Sequence, residues 1–256
     1  MLGWKDVSKY DFKVITLFEA IQLEWLFKWR KHEELSVLLN KYPEVSWFIK
    51  YKNPKIKGLV EQVEAMHSDL SYSRELEERF ICSLEDWIVY VIDPNSYDQH
   101  SHNNWDPNEL LGIIDFNGKT VIDIGSGTGK QTFIVAPLAE SVYSVEPIGN
   151  LRTFISDKRD LLGYKNIFVV DGLMTKLPYP DAFADIVMSG HVFGDHFDLE
   201  FIEMSRVLKP GGMMILIPGN DDKDNDTHKY LVDKGFEFSV FLEPGDGYKR
   251  KYWLTK

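Results

Sequence analysis

The amino-acid sequence predicts an α/β fold: a mostly parallel sheet with crossover helices, ending in an antiparallel C-terminal hairpin and preceded by an α-helical N-terminal extension. Three observations carry this prediction. From residue 106 onward, short β-branched runs alternate with segments of helical periodicity, a pattern that calls for parallel strands joined by helices. The last two strand-like runs, 236–241 and 248–254, flank Glu243-Pro244-Gly245-Asp246-Gly247, which suits a hairpin rather than another crossover. Before residue 106, apolar residues recur at steps of three and four.

The extension, residues 1–105, begins with Phe12, Ile15, Phe18, Ile21, Trp25, Leu26 and Trp29 along one face of a first helix, with Lys13, Glu19, Glu24 and Lys28 between them. A shorter helix over 33–42 stops at Pro43. Asn53-Pro54 opens another that runs to about His67, with asparagine as N-cap and proline in the first turn. Leu76, Phe80, Leu84, Trp87, Ile88 and Val91 mark a fourth from Ser73, ended by Asp93-Pro94. Cys82, the sole cysteine, excludes an intramolecular disulfide and is expected to be packed in this helix. These helices carry Trp4, Trp25, Trp29, Trp47 and Trp87, more aromatic surface than a solvated appendage needs. They are expected to pack as a lid over the functional site; the alternative is a homodimer interface. The polar stretch 95–105, NSYDQHSHNNW, offers Tyr97, His100 and Trp105 as lid or substrate residues. Its histidines lack further ligands at metal-binding spacing, so no metal is expected.

The second part, residues 106–256, starts with Asp106-Pro107-Asn108-Glu109, the cap of a short helix. Val121, Ile122 and Ile124 then form a strand that runs directly into Gly125, Gly127 and Gly129. Glycines at alternate positions allow positive φ and let a ligand lie against the main chain, while the next helix offers free N–H groups. Strands follow over 141–146, 166–170, 184–188 and 213–217, with helices over 150–162 and 197–208 between them. Lys209-Pro210-Gly211-Gly212 reads as a turn, and the basic run Lys249 to Lys251 as a solvated hairpin face.

Spacing narrows the chemistry of the glycine loop. A phosphate-binding P-loop would need glycine at Ile124 and a hydroxyl at Gln131. A dinucleotide fingerprint starting at Gly125 would put its third small residue at Lys130, where helix–strand packing excludes a long side chain. That makes a nicotinamide oxidoreductase the weaker reading. The formal charge of −11 disfavours non-specific binding of nucleic acid. No signal peptide opens the chain and no apolar run nears the ~18 residues that span a bilayer, so a cytoplasmic protein without membrane contact is expected.

Asp123-x-Gly125-x-Gly127-x-Gly129 resembles the first motif of the class I S-adenosylmethionine (SAM) methyltransferases, and from Asp106 on the order of motifs is similar to their small-molecule subgroup. The resemblance implies a seven-stranded Rossmann-like sheet and SAM as cofactor. Ser126 completes the loop with the glycines. Glu146, with Pro147 after it, stands where the family's acid grips the ribose hydroxyls, a place that also suits a helix cap. Asp171, Gly172 and Leu173 stand where adenine is read, and Ser189, just beyond strand four, is counted with the cofactor-binding residues. His191 is the candidate general base, since imidazole titrates near working pH; a packing role is the alternative. His196, with Asp195, is expected to open the next helix, or to meet substrate. The Asn/Asp-Pro-Pro-aromatic tetrad of nucleic-acid amino methyltransferases does not occur after strand four. The expected function is SAM-dependent methyl transfer to a small molecule; the alternative is a non-catalytic protein that binds SAM or S-adenosylhomocysteine, or an interaction module.

Overall fold

The computed structural model describes residues 5–100 and 104–256. Trp4 and His102, counted above among the aromatics and the loop histidines, lie outside the described residues. Two compact units divide the chain, Met1–Tyr97 and Asp98–Lys256.

The first unit is helical: a 3-10 segment Phe12–Leu17, then α1 (Ala20–Trp29), α2 (His32–Lys41), α3 (Pro43–Lys52), α4 (Lys57–Glu64), α5 (Arg74–Cys82), α6 (Glu85–Ile92) and α7 (Pro94–Asp98). The helices are more broken than their periodicity suggests, and local capping explains why. Phe18 is extended, and Glu19 and Gln22 form a capping box that starts α1 afresh. Pro43 does not merely stop α2; it occupies the first turn of α3, where its missing N–H is no loss. The Ser83 hydroxyl donates to the Phe80 carbonyl and closes α5. Cys82, at that end, is exposed rather than packed. Fully buried Glu77 holds the unit's centre, accepting from the Phe12 N–H at 2.7 Å and the Tyr72 hydroxyl at 2.9 Å.

The second unit runs α8 (Asn108–Leu111), β1 (Thr120–Ile124), α9 (Lys130–Val135), β2 (Ser141–Val145), α10 (Gly149–Leu162), β3 (Ile167–Val170), β4 (Ala184–Gly190), α11 (Phe197–Val207), β5 (Leu208–Ile217), α12 (Asp226–Asp233), β6 (Glu237–Glu243) and β7 (Gly247–Thr255). Its seven-stranded sheet has the order β3-β2-β1-β4-β5-β7-β6. The first five strands pair in parallel, and β7 enters antiparallel between β5 and β6. Neighbouring strand residues divide between two cores: Ile122, Val187 and Leu216 belong to one, Val121, Ile186 and Ile215 to the other. Helices over both faces account for the unbroken apolar runs in the sequence. The fold is thus the mostly parallel α/β sheet with an antiparallel end that the sequence predicts. Among the described residues no helix is long and apolar enough to cross a membrane.

Two local readings change. Lys209 to Gly212 is not a separate turn: it lies within β5, where the register slips so that Ala184 pairs with Leu208 and Ile186 with Met213. The basic run is not solvated. Lys249, Arg250 and Lys251 are only 3%, 7% and 8% exposed, because β7 is an interior strand. Each cation is neutralised: Lys249 by Asp221 and Asp246, Arg250 by Asp222 and Asp224, Lys251 by Glu109 of α8. These pairs pin residues 221–224 across β7, so Arg250→Ala should lower stability by about 2 kcal/mol, a charged pair discounted for its half-exposed carboxylates. Thermal unfolding measures the loss, and hydrogen exchange should quicken in residues 219–226; an unchanged melting temperature would contradict the role given to these pairs.

Candidate functional site

The loop after β1 turns through three glycines in the left-handed region, Gly125 at φ 67°, Gly127 at 57° and Gly129 at 86°, a conformation that a side chain at all three positions would resist. Its fold is fixed by short bonds. The Gly125 N–H donates to the Val145 carbonyl at 2.7 Å, the Gly129 N–H to the Ser126 carbonyl at 2.7 Å, and the Ser126 hydroxyl to the Asp123 carbonyl at 2.8 Å. Asp123, 1% exposed, accepts from the Thr132 hydroxyl at 2.6 Å, and that hydroxyl also meets Ser144 at 2.7 Å. This acid therefore ties β1 to α9 and β2, and burial pushes its carboxyl up to about 6.

Glu146 follows β2 and is 5% exposed. One carboxylate oxygen accepts from the Gly127 N–H and the other from the Ile148 N–H, both at 2.9 Å. Burial raises it to about 7, against the pull of these two N–H groups and of Arg152. Glu146 is thus a cap in geometry, and each oxygen keeps a lone pair for a further donor. Arg152 of α10, which carried no signal in the sequence, donates to the Glu146 carbonyl at 2.8 Å and to the exposed Asp171 carboxylate at 3.2 Å. It bridges the ends of β2 and β3. Gly172 lies so close to β2 that a Cβ would stand 2.7 Å from Val145, while Leu173 is partly exposed beside it. Pro147 is half-buried between Glu146 and the start of α10.

The end of β4 lies beside the loop, Ser189 in register with Ile124. The Ser189 hydroxyl and the side-chain oxygen of Gln131 are buried without a hydrogen-bond partner among the described residues. Gly190 lets the Gln131 side chain lie against the end of β4, since a Cβ there would stand 2.5 Å from the Gln131 amide nitrogen. His191 follows at φ 60°, and Val192 packs on Gly125, where a Cβ would meet its methyl at 2.2 Å. Trp105 is 5% exposed and packs on Phe241, with the Lys130 ammonium 5.8 Å from its ring. Tyr97 meets Tyr90 at 4.9 Å within the helical unit. His196 is exposed and precedes α11, whose start is capped instead by Glu200, accepting from the Gly194 and His196 N–H groups. His100 is half-buried on the stretch before α8.

Two carboxyls raised by burial have a consequence for stability. The folded state holds their protons more tightly than the unfolded chain does, so the contribution is full below about pH 4 and is lost as pH rises to about 7. Glu146→Gln should remove about 3 kcal/mol of that fall, the worth of its shift. Denaturant titrations of the ligand-free protein from pH 4 to 8 test this; an equally steep fall in the variant would mean that Glu146 does not carry it.

A methyltransferase domain family matches residues 122–216, from β1 into β5. An uncharacterised methyltransferase of Bacillus velezensis is 30% identical over 191 residues, covering 69% of this chain and 83% of that protein. A protein-L-isoaspartate O-methyltransferase of Dictyoglomus turgidum is 31% identical over 116 residues, 44% of this chain and 50% of that protein, so the chain spans half of that relative's length. The crystal structure of a SAM-dependent methyltransferase from Aquifex aeolicus superposes with a TM-score of 0.53 at 22% identity, covering 64% of this chain and all of the other; it shares the fold. With the strand order, the glycine loop after β1 and the acid after β2 already in place, these likenesses show that the chain belongs to the class I methyltransferases, the family that uses S-adenosylmethionine.

Proposed function

We propose that this chain transfers a methyl group from SAM to a small-molecule acceptor. The observation that carries the cofactor reading is the union of loop and acid: the Glu146 carboxylate is buried at the end of β2 and bonded to the Gly127 N–H. A nucleoside lying along that edge would present vicinal hydroxyls to a carboxylate that still has lone pairs free. The donor chemistry of the site fits such a ligand. Gly125, Ser126, Gly127 and Gly129 would offer main chain to its amino-acid end. The unpartnered Ser189 and Gln131 oxygens supply further polar contacts there. Asp171, Gly172 and Leu173 would flank the base. Bound there, the cofactor supplies an activated sulfonium methyl group. The chain's own residues orient it and shield it from water.

The small-molecule acceptor rests on weaker supports that point the same way. The charge of −11 disfavours nucleic acid. The isoaspartate enzymes of Dictyoglomus and Syntrophobacter fumaroxidans align over 50% and 39% of their own length, the Bacillus methyltransferase over 83% of its own. Residues 1–105 are assigned to a lid over the acceptor, with 106–256 as the methyltransferase domain. The exposed, stacked pair Trp47 and Tyr51, rings 5.3 Å apart, marks the face for the rival role of pairing two chains.

Three measurements test this reading. Calorimetry should show SAM binding that Glu146→Ala weakens by roughly 1.5–3 kcal/mol, the worth of hydrogen bonds to a charged group; binding of S-adenosylhomocysteine should slow hydrogen exchange in residues 5–100. Release of S-adenosylhomocysteine should follow addition of members of a metabolite library and not of an isoaspartyl peptide. Binding without turnover would make the protein a sensor, and protection confined to residues beyond 106 would remove the lid.

A further inference from the structure

The carboxyl edge of the sheet carries, outside the glycine loop, a buried acid beside a histidine in a rare backbone conformation. We propose that Glu243 positions His191 as the general base of the transfer and that the acceptor is a hydroxyl of phenolic or enolic type, an inference that rests on the methyltransferase reading above.

Glu243 is the last residue of β6 and 1% exposed. Its Oε2 lies 3.2 Å from Nε2 of His191, and neither of its oxygens accepts an aligned hydrogen bond. The other deeply buried glutamates behave differently. Glu77 and Glu200 each accept from main-chain N–H groups, and Glu146 from two of them. Their oxygens accept hydrogen bonds from the protein. A buried carboxylate without such bonds is costly unless a cation forms beside it, and His191 is the group placed to become one. Catalytic hydrogen bonds are commonly long before substrate arrives.

His191 itself is held under strain. Its φ of 60° is uncommon for a residue with a side chain, and such outliers collect at functional sites. Its N–H is fixed to the Ile217 carbonyl at 2.7 Å. Its ring fits only because residue 219 is glycine: at φ 75°, a Cβ on Gly219 would stand 2.4 Å from Nδ1. The next residue, Val192, rests on Gly125, so the histidine stands beside the cofactor loop. The base follows β4, the glycine that admits it follows β5, and the acid behind it ends β6.

The chemistry follows from this order. With the Nε2–H turned to Glu243, Nδ1 keeps the basic lone pair. It takes the proton of the acceptor hydroxyl while an oxygen electron pair forms the O–CH3 bond; the C–S bond breaks and its electrons remain on sulfur as a neutral thioether. The imidazolium that results is stabilised by Glu243 and returns its proton to solvent. A carboxylate acceptor is already ionised at neutral pH and gives the dyad no proton to take. An ammonium gives up its proton before its nitrogen can attack, whereas a hydroxyl gives it up as it attacks, which is where a positioned base acts on the transition state.

The test uses the full chain, a panel of phenols of graded acidity, and the variants His191→Ala, Glu243→Gln and Glu243→Leu. SAM affinity, read by calorimetry, should be unchanged in all three. With weakly acidic phenols, turnover should fall ~10²-fold or more in His191→Ala and at least ~10-fold in the Glu243 variants, mostly in kcat rather than KM. With a nitrophenol that is largely ionised in the assay, the losses should shrink to a few-fold. With S-adenosylhomocysteine and a phenol bound, a downfield imidazole N–H proton resonance should be present and should vanish in Glu243→Leu. Losses equal across the phenol series, or no such resonance, would make the pair a packing contact; methylation of amines or isoaspartyl peptide but of no phenol would overturn the acceptor class. Absence of SAM binding in the unmodified protein would instead overturn the methyltransferase reading itself.

Discussion

The bond from the Gly127 amide to the Glu146 carboxylate is the constraint on which the rest of the site depends. A loop that passes through three left-handed glycines has much freedom to lose, and bonds within the loop alone would not select one conformation. Tying its middle to an acid on the neighbouring strand does so. The acid is itself set by the main chain of Ile148 and by Arg152 from α10, so β1, β2 and β3 hold the loop as one piece. Burial makes the carboxylate expensive, which is why its charge is sensitive to pH and why a ligand that donates to it can be bound strongly. Stability is spent here on preorganisation.

The opposite half of the sheet solves a different problem. β7 runs against its neighbours and brings three consecutive cations into the interior, where Asp221, Asp222, Asp224, Asp246 and Glu109 meet them. Isolated, such charges would be destabilising; paired, they fasten the segment after β5 over the strand that crosses it. That segment contains Gly219 and so sets the wall against which the His191 ring lies. The same antiparallel excursion returns β6 parallel to β5 and delivers Glu243 to the carboxyl edge. Hairpin geometry and site geometry are therefore linked through the chain.

Much of this was legible in the sequence because it is local. Asp123 to Gly129 is one strand and one turn, and the alternation beyond it leaves little choice but a parallel sheet. What escaped was long-range. Lys249 to Lys251 look like any exposed basic run until β7 is known to be an interior strand. Arg152 is an ordinary helix residue until α10 lies across two strand ends. Glu243 reads as the first residue of a turn, and it is remote in sequence from His191, the partner that gives it meaning. The N-terminal helices were misjudged in length for a local reason: apolar periodicity persists through Phe18 and Leu84, while caps at Glu19 and Ser83 interrupt the backbone. Periodicity reports which face is buried and says little about where a helix must restart.

The strand order also explains how one edge can hold two chemistries without conflict. β1 and β4 are neighbours from which the chain proceeds outward in opposite directions, and ligands in open α/β sheets lie at such a switch point. On one side, β2 and β3 lead into Glu146 and Asp171, with Arg152 between them, and these three side chains are engaged with the main chain or with one another. On the other side, β4 and β6 end in His191 and Glu243, where a buried acid lacks aligned bonds and a histidine sits in a strained conformation. A cofactor that must be held the same way in every turnover suits the first environment. A proton that must move suits the second, where the acid behind the base steadies the charge it acquires. The switch point places the two side by side, with Val192 against Gly125 as the contact between them.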